Sequence, residues 1–356
     1  MSLADCLLLR ALRDPEGLAA WDEGDWDLLV RQAQSAGLLG RIDALARGHG
    51  LEQSIPAAVR RHLAAAAAIV ERQRAAVRWE VHHLEKALAG IQGRVVLLKG
   101  AAYAMADLSP AAGRTFSDVD ILVPKAVLPE AEMRLHLAGW ISTHLDPYDQ
   151  RFYREWMHEL PPMLHERRET SLDVHHNILP ETARTRTRPD LILAAAIPIP
   201  GYAHIHVPCP EDLILHSATH LFLEGEWWHG LRDLSDLDYL LREFGKTDGF
   251  WPGLLERGQR LNLLAPLYHA LRQARALLHT PIPETMMAGA STGMRQPLMD
   301  FLFEHAMEVA HHSFQGPYTR PAEFILYIRS HWLKMPLHLL LPHLIYKAFK
   351  KEDSEE

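Results

Sequence analysis

Cysteine is nearly missing from this chain. Among 356 residues only Cys6 and Cys209 carry a thiol, so neither a disulfide framework nor a four-cysteine zinc site can form. A basic excess is missing too: 45 acidic residues against 37 Lys and Arg leave a formal charge of -8. A non-specific nucleic-acid binder needs the opposite balance, so long nucleic acid is not an expected partner. No stretch offers about 18 uninterrupted apolar residues, which excludes a conventional membrane span. The start, MSLADCLLLRALRDPEG, has a short apolar run but no basic flank or cleavage site. Secretion is therefore not expected, and a cytoplasmic location is. No internal repeat is visible. With 48% hydrophobic and 23% charged residues, the chain has an ordinary globular composition, and its length suggests two domains or one core with large helical additions. Histidine alone is abundant, at 23 copies, and raises the question of a metal enzyme.

Spacing divides the chain into three stretches. From Asp5 to about Gly90 apolar residues recur every three or four positions, and residues 60–88 are dense in alanine. That predicts three or four helices, broken at Gly37 and at the Gly48/Gly50 pair. Val95–Leu98 and Val119–Val123 are short, β-branched apolar runs suited to buried strands. Between them AAYAMADL predicts a helix; Pro129–Ala138 predicts another, followed by a strand at Trp140–Thr143. Residues 160–176 predict a hairpin turning near Glu169–Thr170. After Pro210 the pattern is again helical, punctuated by Gly and Pro. The expected architecture is α+β: a small mixed sheet in residues 91–208, a helical region over 1–90 and a large helical domain over 209–356.

The chemistry-bearing segment is RTFSDVDILVP, residues 114–124. Asp118 and Asp120 are two apart on a predicted strand, so their side chains leave one face while Val119 and Ile121 leave the other. A carboxylate pair at a strand end suits a hard divalent cation. An isolated D-x-D is more often a turn cap beside a solvent-facing side chain, and here the neighbouring segments reverse that preference. Upstream, VVLLKG ends a strand at Lys99-Gly100 and opens a helix, where backbone amides and a point charge can meet an anion. Downstream, SLDVHH puts Asp173 on a further strand, on one face with Ser171 and His175.

The ordered set LLKG, R-x-F-S-D-V-D-I-L-V and L-D-V-H resembles the nucleotidyltransferase superfamily with the polymerase-β-like fold. More narrowly it resembles a bacterial uncharacterised nucleotidyltransferase family with an LKG and an R-x-x-D-[IV]-D-[IL]-L-V signature. The motifs cover about residues 94–176. The resemblance implies transfer of a nucleoside monophosphate from an NTP such as ATP to an acceptor hydroxyl, with two Mg²⁺ or Mn²⁺ ions. It implies Asp118, Asp120 and Asp173 as metal ligands, with Asp173 also orienting or deprotonating the acceptor hydroxyl. Lys99, Gly100, Ala101, Arg114 and Ser117 are the implied nucleotide-binding positions. Ala101 departs from the superfamily pattern, which usually has Ser or Gly there.

His216, His220 and Glu224 stand four apart on a predicted helix, a spacing that could also ligate zinc and would make the protein a zinc hydrolase. The other reading places His216 and His220, with His175, beside the nucleotide or acceptor. Arg232 and Asp236 are at i, i+4 spacing, ordinary for a surface ion pair, on an acidic helix that the resemblance places near the active site. Trp227 and Trp228 suit core packing or stacking on a base. The apolar C-terminal segment with basic residues at its end is too short to span a bilayer, which leaves a docked helix or peripheral membrane contact. A catalytically inactive nucleotide- or partner-binding protein on the same fold is the remaining alternative.

Overall fold

The computed structural model describes residues 6–291, 296–308, 311 and 313–352. His312, one of the 23 histidines, and the terminal residues 353–356 lie outside them.

The periodic first stretch forms α1 (Leu7–Arg13), α2 (Glu23–Ser35), α3 (Leu39–Gly48) and α4 (Ala57–Ala87). Asp22 starts α2 by accepting a hydrogen bond from the Asp25 amide at 2.9 Å. Along α4 the buried positions Val59, Leu63, Val70, Val77, Val81 and Leu84 form one stripe, leaving much of the alanine run on the outside.

The middle of the chain supplies β1 (Val95–Leu97), α5 (Lys99–Met105), β2 (Asp118–Leu122), α6 (Leu128–Leu137), β3 (Trp140–Ser142), α7 (Pro147–Arg151), β4 (Met163–His165) and β5 (Ser171–His175). It continues with α8 (Pro189–Ala195), β6 (Ile197–Pro198) and β7 (Ile205–Val207). The strands make one mixed sheet in the order β3-β4-β5-β2-β1-β7-β6. β2 runs parallel to β5 and β1 parallel to β7; the remaining pairs are antiparallel. The sequence pattern does not predict β6 and β7: Pro198, Pro200, Pro208 and Pro210 interrupt this stretch and leave no apolar run. The α+β class, with helices before and after a small mixed sheet, is what the chain adopts.

Helices α9 (Pro210–Leu223), α10 (Gly230–Phe244), α11 (Phe250–Arg260), α12 (Leu264–Leu278), α13 (Glu284–Ala290), α14 (Gln296–Ala306), α15 (Thr319–Lys334) and α16 (Leu337–Glu352) follow. A continuous apolar core runs from Leu8 in α1 through the sheet to Leu326 in α15. No described helix is long and apolar enough to cross a membrane.

One close approach sets the position of the D-x-D strand. Gly113 has φ +72, and a Cβ there would lie 2.3 Å from the Gly40 carbonyl oxygen. A Cβ on Gly40 would lie 2.6 Å from the Gly113 oxygen. Two glycines facing each other let α3 lie directly on the loop that leads through Arg114 into β2.

Candidate active site

In the β2–β5 pairing Asp120 stands opposite Asp173 and Asp118 opposite Ser171. Alternation puts the three aspartates on one face, while Val119, Ile121, Leu172 and Val174 are buried on the other. One carboxylate oxygen from each of Asp118, Asp120 and Asp173 lies within 4.8 Å of the other two. Ser117 donates to Asp118 at 2.9 Å.

The charges around this triad are uneven. Burial of Asp120 favours its neutral form, but the Lys99 ammonium at 3.4 Å and His175 at 3.1 Å outweigh that and hold its carboxyl well below the usual range. Asp173 goes the other way. Burial first, then the Asp120 and Glu159 charges, push it up to about 7. Its Oδ1 is buried without a hydrogen-bond partner among the described residues. A divalent cation shared by the three carboxylates would engage that oxygen and offset the repulsion, and an all-oxygen donor set is what hard ions take. The residues fit a metal of that kind.

Lys99 begins α5 with φ +45, a left-handed conformation uncommon for a residue with a side chain. Gly100 follows because a Cβ there would lie 2.6 Å from Arg114 Nη1 and 2.8 Å from Phe116 Cδ1. Lys99, Gly100, Arg114, Ser117, Asp118 and Asp120 line one side of a cleft of about 280 Å³. Helices α9 and α10 and the loop between them supply Ser217, His220, Trp228, His229, Arg232, Asp233 and Asp236. Trp228 is 69% exposed, whereas Trp227 packs in the core against Phe222 and Phe303.

The other positions singled out in the sequence fall in different places. Ala101 is buried within α5, behind the cleft wall. His175 stands behind Asp120, its Nε2 toward that carboxylate and its Nδ1 3.1 Å from Glu159. His216 is buried and lowered to about 3 by desolvation and then Lys99. His220 pairs with Glu224 at 2.7 Å. Among the described residues, neither His216 nor His220 belongs to a group able to hold a metal ion, so the zinc-hydrolase reading on them fails. The expected Arg232–Asp236 surface pair also fails. Asp236 is only 2% exposed and accepts from Arg41 at 2.7 Å and from Arg114 at 2.6 Å, while Arg232 pairs with Asp233 at 2.9 Å. Sequence spacing missed Tyr103 with Ser217, hydrogen-bonded at 2.5 Å, and also Glu159. These contacts join distant segments and follow no local period.

A family model described as "Uncharacterised nucleotidyltransferase" matches residues 22–279, from the N-cap of α2 through α12. The chain belongs to this family. Comparison with curated proteins and with solved structures found no match. The nucleotidyltransferase match takes in the sheet, the aspartate triad, the cleft and both helices that wall it. It ends before α13, so the last four helices lie outside the matched region. The family's description points to nucleotidyl transfer in general terms, an activity that implies a nucleoside triphosphate substrate.

Proposed function

We propose that the protein is a Mg²⁺- or Mn²⁺-dependent enzyme that moves a nucleoside monophosphate from ATP or another NTP to an acceptor hydroxyl and releases pyrophosphate. The observation that carries this reading is the convergence of Asp118, Asp120 and Asp173 within 4.8 Å beside the cleft. Asp118, Asp120 and Asp173 would hold the metal, which when bound neutralises phosphate charge and activates the attacking oxygen.

The chain's own residues do the positioning. Asp120 is fixed between Lys99 and His175, so its carboxylate keeps one orientation when substrate enters. Lys99 Nζ leans on Asp120 and lines the cleft, from which a short swing brings it to a phosphate oxygen. Gly100 leaves room for Arg114 and Phe116 to pack against the start of α5. Arg114, tied through Nε to Asp236 and through Nη1 to the Thr115 carbonyl, lines the cleft as a fixed cation for phosphate. Ser117 steadies Asp118. Asp173 orients the acceptor hydroxyl and takes its proton. Trp228, exposed at the cleft edge, offers a face for stacking on the base. In-line displacement asks a protein mainly for such positioning and charge balance.

Calorimetric titration with ATP, with and without Mg²⁺, tests this directly. Binding should require the metal and be lost in the Asp118→Ala/Asp120→Ala variant. Metal-independent binding that survives the double substitution would instead favour an inactive binding protein on the same fold.

A further inference from the structure

Behind the aspartate triad lies a second cluster, of which the proposed reaction uses only the Nε2 side of His175. His158 and Glu159 follow the π-helical turn Phe152–Trp156, and His175 ends β5. A β-bridge joins Glu159 to His175. The rings of His158 and His175 are 5.3 Å apart. One ligand atom from each of the three residues lies within 4.8 Å of the other two. Glu159 Oε2 and His175 Nδ1 are 3.1 Å apart. That is close to the separation of about 3.3–3.5 Å between ligand atoms around a tetrahedral ion with bonds near 2.1 Å.

His158 is the residue that points to a ligand. It is only 5% exposed, yet its Nδ1 finds no hydrogen-bond partner among the described residues. Leaving a buried polar atom unpaired costs about 1–3 kcal/mol, so the position calls for an occupant. The far side of His175 completes the pattern, with Nε2 at 3.1 Å from Asp120 Oδ1. An imidazole bound to a metal commonly gives its other N–H to a carboxylate in this way.

We propose that His158, Glu159 and His175 bind one first-row transition-metal ion, zinc by the two-imidazole, one-carboxylate donor set. The ion is distinct from any bound by Asp118, Asp120 and Asp173, whose oxygen-only set suits a hard cation. It ties the segment around residue 158 to β5 and fixes the His175 ring, which in turn holds Asp120. Its task is support of the triad, and it touches no substrate. The site stands on the geometry of these three residues and does not depend on nucleotidyl transfer.

Titration of the metal-stripped, full-length protein with Co²⁺ alone, followed by visible absorption, decides the matter. The expected result is a d–d band that saturates at one ion per chain and is displaced by Zn²⁺. The Asp118→Ala/Asp173→Ala variant should keep that band and His158→Gln should lose it, with circular dichroism checking that each variant is folded. No band in the wild-type chain overturns the proposal, whatever the variants do. So does a band that survives in folded His158→Gln, or one that disappears from a folded Asp118→Ala/Asp173→Ala variant. Mg²⁺-dependent ATP binding is read separately by calorimetry, so either reading can fail without the other.

Discussion

Asp236 is a buried carboxylate shared by two guanidinium groups, Arg41 from α3 and Arg114 from the loop before β2. Arg41 is fully buried and also donates to the Pro110 carbonyl at 2.8 Å. Removing the carboxylate would strand two buried cations, which is far more expensive than losing a surface pair. Asp236→Ala should therefore cost about 3–5 kcal/mol in urea unfolding. A surface i, i+4 pair would cost about 0.5 kcal/mol or less, so the size of the loss separates the two descriptions. The sequence shows Asp236 on an amphipathic helix, but not its partner 195 residues earlier. The three aspartates were readable because each sits on a short apolar run, where alternation alone assigns the face. Glu159 was not, because a loop delivers it to His175 and no period announces a loop.

Elements meet where side chains are small enough to let them. The Gly40–Gly113 contact brings the backbone of α3 against the loop that carries Arg114, and Gly113 holds a left-handed φ as well. Gly113→Ala brings both backbone strain and a collision with a carbonyl that cannot move aside. Each such fault costs on the order of 1–3 kcal/mol. The expected outcome is a loss above about 2 kcal/mol in thermal or urea unfolding, together with weaker ATP binding as Arg114 shifts. An unchanged unfolding midpoint would show that α3 does not set the position of β2. The helical character of the first and last stretches, α5, α6 and the first five strands were legible from apolar runs and from Gly and Pro punctuation, whereas the short helices α7 and α8 were not. The order β3-β4-β5-β2-β1-β7-β6 was not. Which strand lies beside which depends on long-range pairing, and the parallel β2–β5 contact crosses α6 and a hairpin.

At the scale of the molecule, the C-terminal helices close around a histidine that burial keeps neutral. The His269 ring on α12 lies 4.7 Å from Phe303 and 5.9 Å from Phe222, with the Arg329 guanidinium nearby. Burial, reinforced by Arg329, lowers its pKa to about 3 from 6.5. The unfolded chain takes up this proton below about 6.5 and the folded chain only near 3, so this residue costs stability as pH falls through that window. Its contribution to the slope approaches one proton, ~1.4 kcal/mol per pH unit. His269→Phe should flatten the acid limb of the unfolding midpoint between about pH 6 and 4, and an unaltered limb would refute that assignment. The abundance of histidine, which first suggested a metal enzyme, thus resolves in part into apolar packing. The proposed nucleotidyl-transfer site rests instead on three aspartates. Anomalous diffraction from crystals grown with Mn²⁺ and a non-hydrolysable ATP analogue tests that centre most directly. The expected map has manganese among Asp118, Asp120 and Asp173, with the triphosphate beside Lys99 and Gly100. Nucleotide bound in the cleft with no manganese at the three carboxylates would contradict it.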